Sequence, residues 1–150
     1  MKKAIILILF SLFCISLNAQ KLIIGNGIST LIKAKNSNKP YQKTGFGINT
    51  NLEYELSEKL AITGEASWNS WGSRIVEDPK NSVSLMAGIK VNPMRIIYFE
   101  ARTGYFFGDL EKYALIPAIG ARFNKFDLNA GYQVSGLYNF ANIRVTYFWK

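Results

Sequence analysis

The sequence predicts an all-β fold: an eight-stranded antiparallel up-and-down transmembrane β-barrel with short periplasmic turns and longer extracellular loops. Three observations carry this. Apolar and polar residues alternate strictly over eight segments of about 10–14 residues, long enough for a tilted strand to cross lipid. The bulky face of those segments is too large for the inside of so narrow a barrel. Aromatic residues gather near the segment ends, as they do at the two interfaces of a membrane.

The chain of 150 residues opens with a short positive leader, Met1-Lys2-Lys3, and an apolar run over 4–17 that carries only two serines. Leu17-Asn18-Ala19 supplies a small residue before a cut between Ala19 and Gln20. This pattern is that of a cleaved secretory signal peptide, residues 1–19, and the run is shorter than a membrane-spanning helix requires. Cys14, the single cysteine, lies inside it. Phe13 precedes that cysteine where a lipid-anchored precursor would have a small residue. The barrel domain, 20–150, is then free of thiols and disulfides. Formal net charge is +8 and no residue is histidine. The positives are scattered, with no block suited to nucleic acid, so acidic lipid or polysaccharide is the expected neighbour outside the cytoplasm.

The first segment, 21–33, places Leu22, Ile24, Ile28 and Ile32 on one face and puts Asn26 in the same set. In 43–56, Phe46, Ile48, Leu52, Tyr54 and Leu56 oppose Glu53 and Glu55. In 60–72, Leu60, Ile62, Ala66 and Trp68 oppose Glu65. The fourth, 81–92, sets Val83, Leu85, Ile89 and Val91 against Lys90. The fifth, 95–107, sets Ile97, Phe99, Ala101, Tyr105 and Phe107 against Glu100 and Arg102. The sixth, 112–123, pairs Tyr113, Leu115, Ile119 and Phe123 against Arg122, with Pro117 in mid-strand, where a bulge is expected. The seventh, 126–136, has Phe126, Leu128, Tyr132 and Val134 against Asp127. The eighth, 141–150, has Ile143, Val145, Tyr147 and Trp149 against Arg144.

Ser57-Glu58-Lys59, Pro93-Met94 and Asn124-Lys125 are the short connections. They alternate with longer ones at 34–42, 72–80, 108–111 and 137–140. The registers agree with the faces. Phe123 and Phe126 flank a two-residue turn, and Leu56 and Leu60 flank a three-residue one, each pair on the apolar side.

The polar face carries five acids and four bases, interleaved with small residues such as Gly47, Ser84, Gly88, Gly104, Gly120 and Gly131. Small residues with balanced charge suit the narrow interior of eight strands, whereas the bulky face would overfill it. The bulky face therefore points outward, into lipid. The hairpin LSEKLAITGEASW, the strand–turn–strand AIGARFNKFDLNAGYQV and the closing ANIRVTYFW together resemble the small eight-stranded outer-membrane β-barrel proteins of the OmpA/OmpX-type architecture. The resemblance spans the whole mature chain. It implies an outer-membrane location in a Gram-negative bacterium and an end strand read by the outer-membrane assembly machinery. Lys150 departs from the pattern, since that family usually ends on an aromatic residue.

Chemistry is sparse. Without histidine there is no Ser-His-Asp site, and no His or Cys metal site. GNGIST, 25–30, matches neither nucleotide-loop spacing. Glu53 and Glu55 are closer to lumen filling than to a glycosidase pair, because a packed lumen has no room for sugar. The sequence thus points to no enzyme, no cofactor and no nucleic acid. Glu65, Glu100, Arg102 and Arg144 fall near mid-strand on the inward face, and an internal salt-bridge network is expected there. The loop AKNSNKPYQK carries Lys35, Lys39 and Lys43, suited to lipopolysaccharide or another surface partner. The expected role is structural, adhesive or recognition-related, in a monomer. A narrow porin-like channel, and a secreted soluble β-barrel binding an apolar ligand, are the alternatives.

On this reading the protein sediments with membranes, dissolves only in detergent and migrates differently on gels before and after boiling. Recovery in the soluble periplasm without detergent would refute the transmembrane reading.

Overall fold

The computed structural model describes residues 21–33, 42–73, 80–109, 111–135 and 138–149. Residues 1–19, with Cys14, expected from the sequence to be a cleaved leader, lie outside them. Eight strands follow one another in chain order: β1 (Leu22–Lys33), β2 (Gln42–Ser57), β3 (Leu60–Ser73), β4 (Lys80–Val91), β5 (Ile97–Gly108), β6 (Lys112–Phe123), β7 (Phe126–Ser135) and β8 (Tyr138–Trp149). Each pairs antiparallel with its neighbours, and β1 pairs β8 from Ile24↔Trp149 to Lys33↔Phe140, so the sheet closes into a barrel. Closure leaves no strand edge unpaired, which is the condition for placing a sheet in lipid.

The register fixes the barrel's width. Partners followed from Ile24 run through Leu52, Gly64, Ala87, Thr103, Leu115 and Val134 to Asn139, next to the Phe140 that faces Lys33. One circuit therefore climbs about ten residues, and eight strands with that stagger tilt by about 35–45° around a lumen only side chains can fill.

Faces divide by parity. Leu22, Ile28, Leu85, Ile89, Phe99, Leu115, Phe123, Phe126 and Trp149 are among the large apolar residues left exposed on the outside. A continuous apolar exterior of this extent is stable only against hydrocarbon. Asn26 is also outward, and accepts a hydrogen bond from Thr50 Oγ1 at 3.1 Å.

Several local expectations give way. Pro117 makes no bulge: the β6–β7 register is the same at Leu115↔Val134 and at Ala118↔Gly131, and the pairing is only interrupted between them. One missing donor interrupts a bond without displacing the strand when the β5 side stays paired, as Ala101↔Pro117 does. The register shifts lie instead in β2, between Gln42 and Gly45 and between Glu55 and Ser57, and the second sets Ser57 rather than Leu56 opposite Leu60 across a two-residue turn. The β4–β5 connection is 92–96 rather than Pro93-Met94. Ile96 lies just before β5, yet its carbonyl still accepts from Arg122 N of β6 at 2.8 Å. β8 begins at Tyr138, which pairs with Ser135, leaving 136–137 between β7 and β8. The two longest connections, 34–41 and 74–79, do share one end. At that same end 109–111 and 136–137 are shorter than the 92–96 connection opposite, so the alternation of lengths is not strict.

Asn124 sits at φ 56° in the tight β6–β7 turn, a left-handed conformation that asparagine tolerates. This fixes Phe123 opposite Phe126.

The outward face makes a depth-dependent prediction. Ile143→Arg, near mid-barrel, should cost about 2–4 kcal/mol, and Phe126→Arg, at the turn end, about 0–1 kcal/mol, in equilibrium unfolding from lipid vesicles. Equal costs would refute the assigned lipid face.

Candidate functional site: a packed lumen beneath a loop rim

The inward positions of the eight strands build three layers. Nearest the turns, Glu53 of β2, Lys90 of β4, Arg122 of β6 and Asp127 of β7 converge. Arg122 donates to Glu53 at 3.0 and 2.7 Å and to Asp127 at 3.1 and 3.2 Å. Lys90 Nζ lies 3.0 Å from Glu53 and 3.4 Å from Asp127. Tyr98 seals this layer: its hydroxyl donates to Asp127 Oδ1 at 2.5 Å and accepts from Asn129 Nδ2 at 3.0 Å. Lys90 Nζ stands 3.7 Å from the centre of the Tyr98 ring. Gly120 is the cross-strand partner of Tyr98. A Cβ there would collide with the ring, so only glycine lets the tyrosine lie across the lumen.

The second layer brings together Glu65 of β3, Glu100 and Arg102 of β5 and Arg144 of β8. Glu65 Oε2 accepts from both Arg102 and Arg144. Arg144 also donates to Glu100 at 3.1 Å and to Asn51 at 2.7 Å. Arg102 Nε lies 3.5 Å from Glu100, and Arg102 donates to Asn129 at 3.2 Å. Asn129 links the layers, since it also donates to Glu100 at 3.1 Å. Each layer contains two acids and two bases and is formally neutral. Arg102 is only 1% exposed, and burial of that degree requires such pairing.

Toward the loops the lumen changes character. Leu31, Trp71, Met86, Phe106, Ala114, Ile116 and Phe140 form a buried apolar cluster. Trp71 packs at 6.3 Å from Phe106 and 6.0 Å from Phe140, ring centre to ring centre. Between the ionic layers, the void lined by Glu53, Lys90, Glu100, Arg122 and Arg144 is about 10 Å³, no more than one water's space. Among the described residues no group of acids is placed to hold a metal. At the turn end an open mouth of about 440 Å³ is lined by Glu53, Glu55, Glu58, Lys90, Arg95 and Arg122.

The lysines Lys35 and Lys39 lie outside the described residues. Lys43 begins β2 at the loop end, where its backbone alone is described. Sequence reasoning assigned Glu53, Lys90, Arg122 and Asp127 to the inward face without joining them into a cluster. It also missed the apolar cap. Parity held the signal: Trp71 shares the phase of Ser67 and Asn69, Phe106 that of Arg102, and Phe140 that of Arg144.

A closed eight-stranded barrel, apolar outside and ion-paired within, defines the class as a small transmembrane β-barrel. Similar solved structures bear on this directly. A de novo designed transmembrane β-barrel superposes at TM-score 0.59 with 12% identity, covering 85% of this chain and 95% of that one. The outer membrane protein Ail of Yersinia pestis in a phospholipid bilayer nanodisc gives TM-score 0.55 with 15% identity, over 86% of this chain and 100% of Ail. A crystal structure of the same attachment invasion locus protein with the heparin analogue sucrose octasulfate gives 0.50 with 17% identity, over 87% and 97%. These likenesses concern the fold. No family model matches the chain, and no curated protein is matched by it.

Glu65 is the keystone of the second layer. Glu65→Gln leaves two buried guanidinium groups sharing Glu100 and should destabilise the barrel by about 3–5 kcal/mol in vesicle unfolding. Adding Arg144→Met should recover part of that loss. A Glu65→Gln variant as stable as the parent would show that the pairs do not act as a unit.

Proposed function

We propose that the protein is a non-catalytic outer-membrane β-barrel that acts through its loops, with the short turns in the periplasm and the basic loop between β1 and β2 engaging acidic saccharide at the cell surface. The observation that carries this reading is the packed lumen. With two ionic layers and an apolar cap filling the interior above an open turn-end mouth of about 440 Å³, a through path for transport loses its space, and recognition falls to the rim. Lys35, Lys39 and Lys43 supply the positive charge, as AKNSNKPYQK stands between two strands that end at the loop side. The complex of Ail with a polysulfated sugar is the parallel in a barrel of the same fold. Lipopolysaccharide is the nearest acidic saccharide such a loop would meet. Delivery to the membrane would use the assembly machinery through the closing strand ANIRVTYFW, after removal of the leader.

The porin-like alternative has the filled lumen against it. The soluble-barrel alternative has the exposed apolar exterior against it, since water would have to cover it.

Two measurements test the proposal. The Lys35→Gln, Lys39→Gln, Lys43→Gln variant should elute from immobilised heparin or lipopolysaccharide at distinctly lower salt than the parent, with the barrel still heat-modifiable. In planar bilayers the parent should give no single-channel steps. Unchanged retention would overturn the loop assignment, and discrete steps would favour the channel.

A further inference from the structure

The turn-end mouth of about 440 Å³ lies within the size range of small-ligand sites, about 300–1,000 Å³, and it has a built floor. Glu53, Lys90 and Arg122 form that floor, and their charges are satisfied by one another and by Asp127. All three are inward residues. The mouth therefore opens along the barrel axis into water, not through the wall into lipid.

Its walls are the β2–β3 turn and the β4–β5 connection, tied where Asn92 N donates to Lys59 O at 2.8 Å. Glu55, half-buried, and Glu58, exposed, line the β2 side. Lys59 and Arg95, both exposed, line the side of the β4–β5 connection. Among the described residues none of these four makes an ion pair, although they share one opening. Lys21 stands by Glu55, whose N donates to Lys21 O at 3.1 Å, but it makes no ion pair with it and lies outside the lining. Met94, 64% exposed, and Ile96, 47% exposed, give the cationic side an apolar strip.

We propose that this mouth binds a short zwitterionic peptide, its ammonium held by Glu55 and Glu58 and its carboxylate by Lys59 and Arg95. Charge selects the occupant. An anion such as phosphate would meet Glu55 and Glu58. A polycation would meet Lys59 and Arg95. A neutral sugar would leave all four wall charges to water. A peptide with both ends free satisfies both sides, and an apolar side chain between its ends rests on Met94 and Ile96. The Arg95 guanidinium can take the carboxylate through two parallel hydrogen bonds. The site is at the opposite end of the barrel from the basic loop between β1 and β2, so it does not rest on that loop's role.

The test uses the full chain, with carbon-13 methyl-labelled methionine, in phosphatidylcholine nanodiscs, and Ala-Leu-Ala as the probe. Met94 reports the mouth, and Met86, 5% exposed in the apolar cap, is the internal control. The Met94 methyl resonance should shift saturably with peptide and that of Met86 should not. Acetylating the amino end, or amidating the carboxyl end, should each weaken binding by about fivefold, the worth of one exposed ion pair. Glu55→Gln with Glu58→Gln should weaken the free peptide similarly and leave the acetylated one unchanged. Lys59→Gln with Arg95→Gln should do the same for the free and amidated peptides. The capping arms use the parent alone, so they need no variant to fold. A missing or unsaturable Met94 shift overturns the proposal, and so does binding indifferent to capping. Variants that weaken free and capped peptides alike overturn it equally. A Met94 shift produced by phosphatidylethanolamine in the nanodisc, and not by peptide, overturns it in favour of a lipid headgroup.

Discussion

The pairing of β1 with β8 is the constraint from which the rest follows. In hydrocarbon an unpaired strand edge leaves a row of donors and acceptors with no water to meet them, so a membrane sheet must close or fail. Closing after eight strands with a stagger of about ten residues fixes a narrow lumen. Width then dictates composition. Glycine must stand wherever a large side chain crosses to the opposite wall, as Gly120 does under Tyr98 and Gly88 beside Arg102. Long charged residues can enter only if their partners are already present on a neighbouring strand.

Those partners arrive from far apart in the chain. Glu53 and Arg122 are 69 residues apart, and Glu65 and Arg144 are 79 apart. Neither layer exists until the barrel is closed, so the ion pairs act as a check on register. A slip of one residue in any of these strands would turn that strand's charged members toward lipid and strand their partners, and an unpaired charge is costly in either place. The layers therefore contribute more to specifying one arrangement than to net stability, since burial costs each ion much of what pairing returns.

How much of this could be read in the chain depended on the kind of signal. The strands and their faces were legible because parity is local: Glu53 and Glu55 alternate with Leu52, Tyr54 and Leu56 whatever the tertiary context. The turn at Asn124-Lys125 was legible for the same reason. The bulge at Glu55–Ser57 and the intact register through Pro117 were not, because both depend on what the neighbouring strand does. The apolar cap escaped for a third reason. Trp71, Phe106 and Phe140 read as lipid-facing by chemistry and lumen-facing by phase, and an aromatic beside an outward aromatic, as Phe106 is beside Phe107, blurs the alternation. Asn26 posed the opposite conflict, polar by chemistry and outward by phase, and phase again decided.

The lumen is graded along its axis, and the grading has a physical logic. Leu31, Trp71, Phe106 and Phe140 close the loop end with apolar surface, and the ionic layers lie below. A dry cap keeps water from the pairs, and charge–charge attraction strengthens as the local dielectric falls. The turn end needs no such lid, because there Arg122 reaches the mouth, remains 20% exposed and stacks at 4.2 Å over Phe148. The interior thus passes from a wettable ionic floor to a sealed apolar roof. Outside this filling lies the turn-end rim, where Glu58, Lys59, Arg95 and Lys125 stand apart from both ionic layers.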